Sequence, residues 1–277
     1  MTTASTARSI AVCVDDFGLH PGINEAVFGL ASMGRISAVS CLTGAPHWRA
    51  GAPRLAELPA DRIDVGLHLD LTEHPLHPDL RTTLPALLLR AHARQLDAPR
   101  IRTEIHAQLD LFEQALGRAP AHVDGHQHIH QFPVIRESLI AVLLERYPQQ
   151  RPWLRATGRP AAASAGGLKP WLIEHTGCAG LAALARANGY PQNRSLLGVY
   201  DFKGDAARYL GLLAQWIGAA SDGDLLMCHA GLKAPGPVAH LPARCNENEV
   251  LSGPAFPALL AQAGLKLAVL SRLPHRE

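Results

Sequence analysis

Aromatic side chains are scarce in this chain. Six Phe, four Tyr and four Trp make up 5% of its 277 residues. Charge is scarce too, at 18% Asp, Glu, Lys and Arg with a formal net charge of +2. No stretch of five or six like charges occurs, so the sequence carries no basic footprint for nucleic acid. Its five cysteines (Cys13, Cys41, Cys178, Cys228, Cys245) are odd in number and form no CxxC pair. That excludes a zinc ribbon and a disulfide framework, and a reducing compartment is the default expectation. The opening residues MTTASTARS lack an apolar signal core, and no apolar run approaches a membrane span. A cytoplasmic protein with no integral membrane segment is expected. A homodimer is the base-rate expectation for a soluble enzyme.

What the chain does have is apolar mass, 47% of its residues, distributed in short runs that alternate with helical patterns. The runs are Ile10–Val14, Ile36–Thr43, Asp64–Leu71, Ala121–Gly125, Trp153–Ala156, Leu196–Tyr200, Asp224–Cys228 and Leu265–Leu270. Short, continuously apolar segments of this kind suit parallel strands buried on both faces. Helical patterns are read at Pro21–Met33 (with Pro21 in the first turn and Gly34 closing it), Arg100–Leu116, Pro133–Tyr147, Leu181–Asn188, Asp205–Ala219 and Gly253–Gly264. Seven or eight βα units without a composition break predict an α/β fold, a single irregular (β/α) barrel. A doubly wound sheet is disfavoured, because no glycine-rich phosphate loop follows the first strand. Glu73–Ala98 reads as a long loop with a short helix, Gly158–Pro170 as a linker and Lys233–Pro242 as a loop. Long loops at the carboxyl ends of barrel strands are where substrate pockets are built.

Polar chemistry collects where apolar runs end. The segment HVDGHQHIH (His122 to His130) packs four imidazoles and a carboxylate into nine residues. Packing alone does not explain it, since every buried ring needs a hydrogen-bond partner. His126, His128 and His130 alternate, so an extended backbone would place all three on one side, together with Asp124. Asp15 and Asp16 follow the first strand. Taken alone, that acidic pair reads as a solvated turn or an N-cap for Pro21–Met33. His68 shares the even-numbered face of its run with Gly66 and Asp70; a lone strand histidine is more often structural than a ligand. DLLMCHA ends in His229, equally readable as a proton donor or as a capped strand end. Carboxylate and imidazole delivered by several strand ends to one place would make a metal site with chemistry beside it.

These segments, VDDFGLHPGIN, GLHLDLTEHPL, HVDGHQHIHQFP and LLMCHAG, resemble in order the YdjC-like carbohydrate deacetylases, the family that includes chitooligosaccharide deacetylase and hopanoid-biosynthesis deacetylases. The resemblance implies a barrel domain over residues 9–273, after a disordered tail at 1–8, related to the polysaccharide deacetylases. It implies Asp16, His68 and His126 as ligands of one divalent metal ion, Asp15 as general base, His229 as general acid, and His128 and His130 as substrate-binding residues. Two imidazoles and a carboxylate favour zinc; magnesium, with which family members are sometimes described, prefers oxygen ligands. The implied reaction is hydrolysis of the N-acetyl group of an N-acetylated saccharide. The chain departs from the family pattern at Val14, often alanine, and at Ala230, often proline; neither change removes a chemical group. A metal-dependent phosphoesterase or amidohydrolase, a non-haem iron oxygenase and a catalytically silent carbohydrate-binding protein are the rivals. The first normally places its HxH pair on the first strand, the second sits on all-β scaffolds, and the third needs neither base nor acid. Trp48, Trp153 and Trp171 are candidates for stacking on a sugar face, with core anchoring an equal reading.

Overall fold

In the computed structural model, which describes residues 8–160 and 173–272, eight parallel strands form one curled sheet. The strands are β1 (Arg8–Phe17), β2 (Ala38–Cys41), β3 (Asp64–Leu69), β4 (His122–Gly125), β5 (Trp153–Leu154), β6 (Leu196–Leu197), β7 (Asp224–Cys228) and β8 (Leu265–Leu267). Their order is β5-β4-β3-β2-β1-β7-β6, and β8 pairs with the start of β1. Each of the eight apolar runs of the sequence coincides with one strand, β1 extending beyond its run at both ends. Between the outer strands β5 and β6 the described residues form no ladder. A single bridge from Leu154 to Gln192, and a Leu196 N–H donating to the Gly158 carbonyl at 2.7 Å, draw the two sides together. The barrel is therefore curled but irregular.

Nine α-helices are described: α1 (Pro21–Ser32), α2 (Trp48–Ala56), α3 (Leu84–His92), α4 (Ala98–Leu116), α5 (Ile135–Arg146), α6 (Ala179–Ala187), α7 (Ala206–Ala219), α8 (Leu241–Ser252) and α9 (Ala255–Gln262). Side-chain caps start α4, where Asp97 accepts from the Arg100 N–H, and α7, where Asp205 accepts from the Arg208 N–H. Gly117, left-handed at φ 65°, ends α4. The cap of α1 is His20, whose Nδ1 accepts from the Gly22 N–H, so Asp15 and Asp16 are left for another task. None of these helices, among the described residues, is long and apolar enough to cross a membrane. Of the tail expected at 1–8, residues 1–7 lie outside the described residues, whereas Arg8 already belongs to β1. Most of the Gly158–Pro170 linker, and Trp171, also lie outside them.

Strand parity sorts the core into two environments. Ile10, Val12 and Val14 of β1, Val65, Leu67 and Leu69 of β3, and Val123 of β4 pack in the large cluster under the helices. The opposite parity faces inward: Ala11, Cys13, Ala38, Trp153, Leu225 and Met227 form a small second cluster. Above it the interior turns polar, with Ser40, His68, His122, Asp124 and Arg155, all buried. Gly66 makes room for this layer, because a Cβ there would stand 2.4 Å from ring atoms of His122. That ring stacks on Trp153 at 4.2 Å. Trp48 is buried against Phe17 and Phe112. Both tryptophans are thus core anchors rather than sugar platforms. The inward polar layer leads to the carboxyl ends of the strands, where a cavity of about 680 Å³ opens, a volume suited to a small ligand.

Candidate metal centre and catalytic site

The two adjacent carboxylates of β1 reach one cavity because the strand bulges between them. Val14 pairs with Val39 but Phe17 with Cys41, so three steps on β1 match two on β2. Asp16 itself is left-handed at φ 68°, a conformation Asp tolerates better than most residues. Asp15 and Asp16 are both buried and both line the cavity. A strictly pleated strand would have turned one of them away.

Asp16 Oδ1 lies 3.0 Å from His126 Nδ1 and 3.5 Å from His68 Nε2. The ligand atoms of Asp16, His68 and His126 all fall within 4.8 Å of one another. The opposite side of each ring is also taken up. His68 Nδ1 donates to Asp124 Oδ1 at 2.6 Å, which turns Nε2 toward Asp16. His126 Nε2 lies 3.2 Å from Glu73 Oε1. Histidine ligands are commonly oriented by such outer carboxylates. Glu73 is delivered by a loop that Asp70 organises, its carboxylate accepting from the N–H groups of Thr72, Glu73 and His74.

The carboxylates and imidazoles gathered here shift one another's protonation. Burial pushes His68 down, but the Asp124 carboxylate outweighs it and the ring ends at about 9. Burial likewise opposes protonation of His126, and Asp16 reverses it, so that ring is held well above the ordinary histidine range. Asp16 is pushed up by burial and brought well below the usual carboxylate range by Arg244 and His126. Imidazole ligates as the neutral base, so a divalent ion bound here would displace these ring protons.

Two other clusters have ligand-like spacing: Cys13 with His122 and Asp124, and Asp15 with His68 and Asp124. Neither fits a metal, because a cation already occupies the place. Arg155 donates to both oxygens of Asp15 at 2.6 Å, meets Asp124 Oδ2 at 2.5 Å and reaches Cys13 Sγ at 3.3 Å. Of the three groups, the Asp16 one alone opens fully on the cavity, and a carboxylate oxygen with two imidazole nitrogens is a donor set that fits a divalent ion of the zinc type.

The HQHIHQ segment departs from the extended backbone expected of it. His126–Gln131 is a short 3-10 helix broken by left-handed Gln127 (φ 55°) and His128 (φ 62°). The three alternating imidazoles therefore diverge. His126 meets Asp16, His128 lines the cavity, and His130 is fully buried with Nε2 donating to the Arg155 carbonyl at 2.9 Å. His130 stands behind the cavity wall, whereas His128 lines the cavity itself. Burial holds His128 and His130 below the ordinary histidine value, His130 at about 4, so both rings are neutral polar groups. His122, at about 4 for the same reason, is a strut bonded to Ser40 at 2.8 Å.

His229 lines the cavity, with the Phe202 ring edge-on at 5.0 Å. Its backbone N–H donates to Glu247 on α8 at 2.5 Å. Asp124 as an orienting group, Arg155, Glu73, Arg244 and Glu247 were not assigned from the sequence. Arg155 had a signal, a lone cation inside the apolar run Trp153–Ala156. Arg244 and Glu247 had a weaker one, opposite charges at i and i+3 just after the Lys233–Pro242 loop.

A profile of the YdjC-like protein family matches residues 9–262. The chain belongs to the YdjC-like family. Among curated relatives it is 30% identical to the carbohydrate deacetylase of Homo sapiens, over 96% of this chain and 91% of that one. It is 33% identical to the chitooligosaccharide deacetylase of Proteus mirabilis, over 47% of this chain and 55% of that one. The fold recurs in a crystal structure from Enterococcus faecalis V583 named for a proposed cellobiose-phosphate cleavage, with a TM-score of 0.70 at 18% identity, covering 96% and 98% of the chains. A peptidoglycan N-acetylglucosamine deacetylase shares it more distantly, with a TM-score of 0.53 at 12% identity, over 95% of this chain and 86% of that one.

Proposed function

We propose that this YdjC-like chain is a metal-dependent N-deacetylase of N-acetylated amino sugars, with chitooligosaccharides or N-acetylglucosaminyl glycans as the substrate class. The observation that carries this reading is the convergence of Asp16, His68 and His126 at one end of a cavity that Asp15 and His229 also line. Names of relatives supply the substrate class; the chemistry rests on the residues.

Asp16 Oδ1, His68 Nε2 and His126 Nδ1 would hold one divalent ion, zinc by the donor set. Such an ion supplies Lewis acidity, lowering the pKa of a bound water toward 7 and polarising a carbonyl. Asp15 would take the proton from the attacking water. Its oxygens lie close to the centre, since one falls within 4.8 Å of a His68 nitrogen, and the two-pronged grip of Arg155 fixes the plane of the carboxylate. An amine is a poor leaving group, and His229 would protonate it as the C–N bond breaks. His128 would present a neutral imidazole to the substrate.

The test is acetate release from N,N′-diacetylchitobiose by protein stripped of metal and then reloaded with zinc or magnesium. Activity restored by zinc is expected. Failure to release acetate with any metal sinks the reading, and phosphate release from a sugar phosphate instead would move it to a phosphoesterase. Asp15→Asn and His229→Ala should each lower kcat by about 10²- to 10⁴-fold while bound metal is retained; unchanged turnover removes that residue from its role.

A further inference from the structure

Helix α8 presents two buried charged residues one turn apart, and both reach the proposed site. Arg244 Nη2 donates to Asp16 Oδ2 at 2.6 Å. That takes up the carboxylate oxygen on the far side from the imidazoles and leaves Oδ1 facing them. Arg244 is itself braced, with Nε donating to the Ala239 carbonyl at 3.0 Å. Glu247 is fully buried. Its Oε2 accepts from the His229 N–H at 2.5 Å and its Oε1 from the Tyr200 hydroxyl at 2.7 Å.

The same turn also holds the chain that carries His229. Arg244 Nη1 donates to the His229 carbonyl at 3.4 Å, and the Arg244 carbonyl accepts from the Gly231 N–H at 3.0 Å. The peptide groups on both sides of His229 are thus tied to one helical turn. A residue so held has its Cα–Cβ direction set by α8, and that direction determines where the ring enters the cavity.

We propose that the Arg244-x-x-Glu247 turn of α8 is a positioning device that sets the Asp16 carboxylate and the His229 side chain relative to one another. The inference rests on the deacetylase reading above. Arg244 acts on the ligand side and Glu247 on the acid side, so the two substitutions have different signatures. Arg244→Ala frees Asp16 Oδ2 and should weaken zinc affinity by roughly 10- to 100-fold, the loss typical of an outer-shell partner. Glu247→Ala should leave zinc affinity and KM within about twofold while kcat falls on the order of 10- to 100-fold, as for a misplaced proton donor. Glu247→Gln rescues, because its amide oxygen can accept from the His229 N–H while its NH2 donates to the Tyr200 oxygen.

The experiment is zinc titration by calorimetry together with kcat and KM on N,N′-diacetylchitobiose for the full chain and these three variants. A purely structural role would lower kcat and bound-zinc stoichiometry together. Equal loss of zinc affinity in both alanine variants, unchanged kcat in Glu247→Ala, or no rescue by Gln overturns the proposal. Where Glu247→Ala does not fold, Tyr200→Phe removes one of the two bonds orienting Glu247, and a lowered kcat at unchanged zinc affinity is again expected. Wild-type protein that binds zinc but releases no acetate sinks the deacetylase reading by itself. The calorimetric contrast between Arg244→Ala and Glu247→Ala still tests the turn in that case.

Discussion

The two halves of the site are held in place in different ways. Asp15, Asp16, His68 and Asp124 sit on β1, β3 and β4 of one sheet, with β2 between β1 and β3, and their relative positions follow from strand register. His68 stands directly across from Asp124 in the β3–β4 pairing, so the ring and its orienting carboxylate are placed together by the sheet. Arg244 and Glu247 instead come from a helix after the last inner strand, and they meet the site mainly through their side chains. Strand-borne groups are positioned by a cooperative scaffold, whereas helix-borne ones depend on how α8 packs. A substitution in the first half should therefore remove chemistry, and one in the second should degrade its geometry.

The largest expected effect tests the strand-borne half. Asp16→Ala, His68→Ala or His126→Ala each deletes a proposed ligand and should lower kcat/KM by at least about 10³-fold, several kcal/mol of transition-state stabilisation. Zinc content measured on the purified variants should fall in parallel. A variant that keeps full zinc and full activity breaks the proposed ligand set at that position.

Next is stability. Arg155 is wholly buried between Asp15 and Asp124. Arg155→Met would leave two buried carboxylates without their cation, and removing one partner of such a group costs about 3–5 kcal/mol. Urea unfolding of the metal-free variant should show that loss. A change below about 1 kcal/mol, the value of a surface pair, would mean that water reaches this layer.

That same contrast explains what the sequence disclosed. Parallel strands buried on both faces are short apolar runs, so all eight appear as such, and the residues at their ends appear with them. Segments that depend on tertiary packing were hidden. Helix α2 contains Gly51 and Pro53, which disguise it, and α8 begins inside a stretch rich in Gly and Pro. The HxHxH alternation predicted one imidazole face, yet period-two spacing reports side only if the backbone is extended, and Gln127 and His128 are left-handed. Which histidine meets Asp16, and which supports Arg155, are consequences of that turn. Arg155 itself was visible as a lone cation in a strand, but its partners Asp15 and Asp124 lie far away in sequence.

The helix-borne half carries a pH signature in stability. Burial pushes Glu247 up from 4.5 to about 7, against the His229 N–H and Tyr200 hydroxyl that oppose it. Between those values the folded chain holds a proton that the unfolded chain has released. This group's contribution to stability therefore falls as pH rises from 4.5 to about 7 and levels off above, by about 3 kcal/mol in all. Glu247→Gln cannot titrate. Relative to wild type it should gain stability across that window and nowhere else, as read from urea midpoints at matched pH. A difference that stays flat from pH 4.5 to 7 would mean that Glu247 is ionised throughout.

The smallest effect concerns Glu73, the one strand-side partner delivered by a loop. It is half-buried, and its contact with His126 Nε2 is 3.2 Å. The side-chain contact with His126, ahead of the burial that opposes it, holds its carboxyl below the usual range. Glu73→Gln keeps an acceptor for the ring and loses only the charge, so zinc affinity should fall by about tenfold, the low end for an outer-shell carboxylate. His68 provides the internal comparison, because its partner Asp124 is fully buried on a strand. Asp124→Asn should cost more, toward 100-fold, since the asparagine must also meet Arg155 and Ser40. If calorimetry gives Glu73→Gln the larger loss, then the loop that Asp70 organises, rather than the sheet, dominates how the two imidazoles are held.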